Sequence, residues 1–194
     1  MINYSFIIPH HNGPILLNRL LDSIPQRKDI EIIVVDDNSD ELKRPKITRS
    51  DVQIIYISEA NSKGAGHARN IGLEKAKGQW LLFADSDDCY VEGFVDELDK
   101  YLESEVDIVF FNAYIGYNNT KPYEVKIPNF FDIIYKDFEE SKKTDFDLHK
   151  MAMMASYPWN KMIKRSFLKS INACFEEVPI GNDTWFSNYV GSKI

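Results

Sequence analysis

The sequence predicts an α/β protein built on a doubly wound, mostly parallel sheet flanked by helices. Three observations carry that expectation. Short runs of β-branched and large apolar residues recur through residues 1–113, separated by stretches with helical spacing. The runs are apolar throughout rather than alternating, as in strands buried on both faces. Clusters of Gly, Pro, Asp and Asn close them, so each strand ends before the next helix begins.

Taken in order, Phe6-Ile7-Ile8 reads as a short strand stopped by Pro9 and the turn cluster His10–Pro14. Ile15, Leu16, Arg19, Leu20 and Ser23 follow a helical period up to Ile24-Pro25. Glu31–Val35 is a second strand, ending in Asp36-Asp37-Asn38-Ser39, and Val52–Ile57 is a third. A helix is expected from Gly66 to Ala76, closed by Gly78. Trp80–Phe83 is a fourth strand running into Ala84-Asp85-Ser86-Asp87-Asp88. Gly93–Leu102 reads as helix and Val106–Phe111 as a fifth strand. Residues 114–140 are aromatic and irregular, with a strand-like piece at Tyr123–Ile127, and residues 145–155 and 165–170 look helical.

At 194 residues the chain has the size of one domain and enough interior to need no disulfide or metal staple. Hydrophobic residues at 44% and charged residues at 27% exclude disorder, collagen and coiled coil. A net charge of −7 argues against nucleic-acid binding, which calls for a basic face. Cys89 and Cys174 have no metal-ligand spacing and read as reduced thiols. The N-terminal residues show neither a basic leader nor a long apolar stretch, so no signal peptide or membrane span is expected, and the two sequons at Asn118 and Asn182 read as chance matches. Charge is uneven: residues 1–140 carry 15 basic and 25 acidic side chains, residues 141–194 carry 8 and 5. Two differently solvated faces explain that shift as well as an anionic ligand held between the halves.

Open parallel sheets bind ligands in the crevice at the carboxyl ends of their strands, and the acidic clusters are expected there. Asp85-Ser86-Asp87 is an acid-x-acid pair whose carboxylates can share one hard cation such as Mg²⁺ or Mn²⁺. On spacing alone, helix capping and turn chemistry explain it better, and its position at a strand's carboxyl end moves the balance towards a ligand site. Asp36-Asp37 could accept hydrogen bonds from a base or a ribose, or simply form a polar turn. Gly64-x-Gly66 imitates a dinucleotide fingerprint, with Asp85 as its distant acid. Arg69, however, occupies the third glycine's place, and the loop follows the third strand rather than the first. Arg69 on the first helical turn could instead meet a base or phosphate. Asp36, Asp37, Asp85 and Lys121 imitate a phosphoacceptor receiver, but too few residues separate Asp85 from Lys121 for that fold. Asp183 follows a glycine turn, where it is either a helix cap or a general base. The four histidines are scattered and suggest neither a metal site nor a Ser-His-Asp arrangement.

Ser5–Asn12 (SFIIPHHN), Val34–Ser39 (VVDDNS), Ala68–Gly72 (ARNIG), Gly78–Asp88 (GQWLLFADSDD), Trp159–Leu168 (WNKMIKRSFL) and Gly181–Phe186 (GNDTWF) occur in this order. Together they resemble family 2 glycosyltransferases, inverting enzymes of the GT-A, Rossmann-like fold that use nucleotide-diphosphate sugars. The resemblance spans nearly the whole chain. It implies one catalytic domain over 1–194, with a nucleotide-sugar half at 1–113 and an acceptor-side half at 114–194. Because the chain ends soon after Asp183, that second half is expected to be cut short.

By the same resemblance Pro9, Asp37, Arg69 and Asp85 bind the nucleotide, Asp85 and Asp87 meet a Mn²⁺ or Mg²⁺ ion on the diphosphate, and Asp183 is the catalytic base. Asn182 stands where the family usually has Glu, and His11 where it often has Tyr. The expected reaction is a single in-line displacement from a nucleotide sugar, a UDP-sugar first of all, onto a saccharide or glycolipid hydroxyl. The family implies polysaccharide or glycolipid assembly at the cytoplasmic face of a membrane, with peripheral association. Two other readings stay open: a sugar-nucleotide-binding domain without turnover, and a dinucleotide-dependent oxidoreductase.

Overall fold

The computed structural model describes residues 1–112, 130–178 and 180–194. Six strands form one mixed sheet: β1 (Tyr4–His10), β2 (Ile30–Asp37), β3 (Val52–Ile57), β4 (Trp80–Phe83), β5 (Ile108–Phe110) and β6 (Lys161–Lys164), in the order β3-β2-β1-β4-β6-β5. The first four lie parallel, while β6 runs antiparallel to both β4 and β5. The helices are α1 (Pro14–Ser23), α2 (Ala65–Lys75), α3 (Phe94–Asp99), α4 (Phe130–Glu140), α5 (Asp145–Met154), α6 (Arg165–Ser170) and α7 (Asn182–Gly191).

Strand alternation sorts the core into two layers. Phe6, Ile8, Ile32, Val34, Trp80, Leu82 and Met162 face α1 and α3, meeting Leu17, Leu20, Val95 and Leu98. Ile7, Ile33, Val35, Leu81, Phe83 and Ile163 face the other way, against Ala68 of α2, Phe167 and Leu168 of α6, and Phe186 and Val190 of α7. The central strands β1, β2 and β4 are therefore buried on both faces, which is why they read as largely apolar runs.

Four expectations need correcting. The first strand does not stop at Pro9 but continues through it to His10. The carbonyls of Asn3 and Ile7 accept from Trp80 and Ala84, so the odd residues of β1 bond towards β4. Pairing with β4 ends at Ile7, hence the missing N–H of Pro9 breaks no ladder. Residues 130–140 are not irregular but form α4, and residues 161–164, not read as a strand, form β6. The helix expected over Gly93–Leu102 is confined to Phe94–Asp99. The strand-like piece Tyr123–Ile127 and Lys121 lie outside the described residues.

The chain winds outward from β1 to β3 and returns through α2 to β4 on the other side of β1. That reversal puts the switch point between the carboxyl ends of β1 and β4, where open α/β sheets bind ligands.

Candidate active site

The β2 exit is a closed polar network. His10 Nδ1 lies 2.7 Å from Asp36 Oδ1, with the two side chains 0% and 1% exposed. Gly13 donates its amide to His10 Nε2, so Nδ1 carries the proton shared with Asp36. Ser39 Oγ donates to the same Asp36 oxygen at 2.5 Å and accepts from the Asn12 amide. The residue types of a hydrolytic triad are thus assembled, but in the wrong order: the serine bonds the carboxylate, and the imidazole nitrogen a base would use is occupied. The network ties the β1 and β2 exits together. Asn12 (φ 57°) and Asn38 (φ 58°) turn those exits in the left-handed region, which asparagine tolerates better than most residues.

Asp37 is held differently. Its Oδ2 accepts from the amide of Gly64, the residue capping α2, at 2.8 Å. Its Oδ1 is buried and has no partner among the described residues. A buried carboxylate oxygen without a donor is costly unless something supplies one.

The β4 exit is open and crowded with charge. Asp85 is partly exposed, and Asp87 and Asp88 are exposed. Arg19 of α1 donates to the Asp87 carbonyl. The Asp88 carboxyl turns in towards the Asp85 amide, 3.4 Å away. Withdrawal from water there, then the charges of Asp85 and Asp87, push Asp88 up to about 7.

Arg69 joins this turn to α7. It is 5% exposed, and it donates through Nη2 to Asp85 Oδ1 at 2.5 Å and through Nη1 to Asn182 Oδ1 at 2.7 Å. Asp183 follows in the first turn of α7, which Gly181 introduces at φ +83°, a conformation that favours glycine. The Asp183 carboxylate is partly exposed and, among the described residues, accepts from the neighbouring Thr184 amide. The segment before α7 is strapped onto α2. Asn70 bonds both backbone groups of Phe175, while Lys63 and His67 bracket Glu177 and hold its carboxyl down at about 2.

The expected site residues therefore group on one edge. Pro9 is buried in β1, Asp37 ends β2, Asp85 and Asp87 follow β4, and Arg69 connects Asp85 to the helix that carries Asp183. Sequence reasoning missed His10, 26 residues from its partner Asp36, and Glu177, 114 residues from Lys63. A buried His–Asp pair leaves no spacing signal.

The carboxylates of Asp85, Asp87 and Asp88 are hard oxygen donors of the kind Mn²⁺ and Mg²⁺ prefer, and their mutual repulsion is what a cation relieves. Among the described residues, though, no three acidic, histidine or cysteine side chains are grouped to hold a metal by themselves.

The structure resembles the crystal structure of Staphylococcus aureus TarS residues 1–349 in complex with UDP-GlcNAc, with a TM-score of 0.71 over 97% of this chain and 53% of that one, at 21% identity. A mannosyltransferase of Pyrobaculum calidifontis, solved with GDP-Man and Mn²⁺, gives 0.61 over 94% of this chain and 50% of that one, at 19% identity. At such identities the likeness is one of fold, and it bears out the expected GT-A architecture. In sequence, a GalNAc(5)-diNAcBac-PP-undecaprenol beta-1,3-glucosyltransferase of Campylobacter jejuni is 32% identical over 97% of this chain, which spans 60% of that enzyme. The model of "Glycosyl transferase family 2" matches residues 5–170, covering five of the six quoted motifs and both acidic turns, and the chain belongs to that family.

Proposed function

We infer that this chain is the donor-binding and catalytic region of an inverting glycosyltransferase that moves a sugar from a UDP-sugar to a hydroxyl of a saccharide or glycolipid acceptor. The observation that carries this reading is the unpartnered, buried Oδ1 of Asp37, set on the same sheet edge as the open acidic turn. Asp37 Oδ1 accepts the N–H of the base, while Gly64 fixes the other oxygen. Arg19 and Arg69 hold the acidic turn from both sides. Asp87, with Asp85 beside it, would hold a Mn²⁺ or Mg²⁺ ion jointly with the donor phosphates. Such an ion offsets the charge that builds on the departing diphosphate.

Asp183 takes the proton from the acceptor hydroxyl as that oxygen attacks the anomeric carbon, and the configuration inverts. A positioned base of this kind contributes about 10²–10⁴-fold. The Campylobacter relative acts on a polyprenyl-diphosphate saccharide, and a lipid-linked acceptor of that class fits this chain's role in glycolipid or polysaccharide assembly at the cytoplasmic membrane face. Among the described residues no helix is long and apolar enough to cross a membrane.

The test is UDP release from a panel of UDP-sugars, with and without Mn²⁺, by the wild type and Asp183→Asn. Donor-specific release that falls about 10²-fold or more in the variant is expected. Binding of UDP with no turnover under any condition would instead identify a sugar-nucleotide-binding domain.

A further inference from the structure

The Asp183-bearing helix is not docked by apolar packing alone; a buried polar chain runs from it to the acidic turn. Asp85, Arg69 and Asn182 come from three separate elements, and the guanidinium of Arg69 spans them with bonds of 2.5 and 2.7 Å. Arg69 and Asn182 are 5% and 6% exposed, so the Arg69–Asn182 half of this bridge is shielded from water, while Asp85 at its other end is partly exposed. Its surroundings leave little freedom. The Arg69 guanidinium lies 5.4 Å from the centre of the Phe175 ring, which stacks on Phe186 of α7 at 3.8 Å. The Asn182 amide nitrogen donates to the Val178 carbonyl, at 3.4 Å. Gly66, one turn before Arg69, has no room for a side chain: a Cβ there would sit 2.1 Å from the Glu176 carbonyl and 3.0 Å from Asn182 Cβ.

We propose that Arg69 and Asn182 are positioning residues: through the Asp85–Arg69–Asn182 bridge they fix where the Asp183 carboxylate stands relative to the acidic turn that receives the donor diphosphate. The proposal rests on the reading of Asp183 as the base and goes beyond it. Both terminal nitrogens of Arg69 have protein partners, so its charge serves the protein's own geometry. The planar fork of arginine meets two acceptors in different directions at once, which a lysine ammonium on its flexible stem does not reproduce. Asn182 contributes an accepting oxygen at the first residue of α7, next to the base itself. A displacement of about 1 Å at a reacting group costs on the order of 10²-fold in rate, so loosening this joint acts on turnover rather than on donor capture.

The experiment measures UDP release from UDP-glucose, or from whichever UDP-sugar the wild type turns over fastest, for Asn182→Ala, Asn182→Asp, Arg69→Lys and Asp183→Asn. Thermal unfolding of each variant is recorded alongside. Asn182→Ala is expected to lower kcat roughly 10²-fold while the donor KM stays within about threefold. Asn182→Asp keeps the accepting oxygen and restores most of the rate, whereas Arg69→Lys does not. Should Asn182→Ala fail to fold, the opposite behaviour of Asn182→Asp and Arg69→Lys carries the same test. The bridge is overturned if Asn182→Ala turns over like the wild type, if its loss lies in KM with kcat intact, or if Asn182→Asp does not rescue. These outcomes leave the proposed function standing as long as Asp183→Asn is inactive. An Asp183→Asn variant as active as the wild type overturns the base assignment and the bridge together.

Discussion

The two acidic turns share one sheet edge but are built on opposite principles. At the β2 exit Asp36 is 1% exposed and paired with His10 at 2.7 Å, with Ser39 donating to the same oxygen. At the β4 exit Asp87 and Asp88 are exposed, and neighbouring carboxylates help to raise Asp88 to about 7. The first turn has satisfied its charges within the protein and serves as a fixed wall. In the second, Arg69 pairs with Asp85 alone, which leaves the carboxylates of Asp87 and Asp88 crowded beside it and favours a cationic or cation-bearing ligand. Asp37 stands between the two kinds, with one oxygen held by Gly64 and the other buried without a partner. Buried and paired carboxylates contribute to the fold, whereas exposed and crowded ones cost stability until a ligand arrives.

Substitutions can break this contrast in a graded way. Asp87→Ala is expected to lower UDP-sugar turnover by about 10²–10³-fold, with unfolding free energy within about 0.5 kcal/mol of wild type. An activity assay beside a urea titration reads both. Asp36→Ala reverses the pattern: it strands His10 Nδ1 and removes the acceptor of Ser39, costing about 3 kcal/mol of stability in the same titration. Asp37→Ala falls between, weakening UDP binding about tenfold by calorimetry.

Stability is also expected to depend on pH. Asp88 has its folded pKa raised from 3.8 to about 7, so the folded state holds its proton more tightly than the unfolded chain does. Its contribution to stability is fully present below about pH 4 and is lost as pH rises through 7. Lys161, buried without an acidic partner and donating to the Ala155 carbonyl, is lowered from 10.5 to about 7 by burial. Its folded state therefore resists protonation, and stability recovers as pH rises from about 7 towards 10. Asp88→Asn should flatten the acidic limb and Lys161→Met the alkaline one, each read from thermal unfolding across pH without divalent cations.

Much of this arrangement was legible in the amino-acid order. Strands β2 and β4 are apolar runs because they are buried on both faces, whereas the edge strand β3 is only partly buried; Val52–Ile57 and Trp80–Phe83 match the expected bounds. The acidic residues of both turns and Asp183 stood out because they follow strands or a glycine turn. What escaped notice depends on contacts across the fold. Strand β6 is four residues, KMIK, whose first lysine looks like surface and is buried. The continuation of β1 through Pro9 depends on where its neighbour β4 stops. Arg69 read as a nucleotide ligand on the first turn of α2. Its two protein partners, 16 and 113 residues away, leave no local trace. Local patterning reports burial and turns, but not which polar side chains meet.

The central claim is that this sheet edge receives a nucleoside diphosphate, with Asp37 reading the base and the β4 turn meeting the phosphates through a divalent cation. Calorimetric titration of the chain with UDP, with and without Mn²⁺, tests it most directly when repeated on Asp37→Ala and Asp87→Ala. The expected result is UDP binding that Mn²⁺ strengthens, weakened in Asp37→Ala with or without the ion, and insensitive to Mn²⁺ in Asp87→Ala. Binding that is absent in the wild type, or unchanged in both variants, would contradict it.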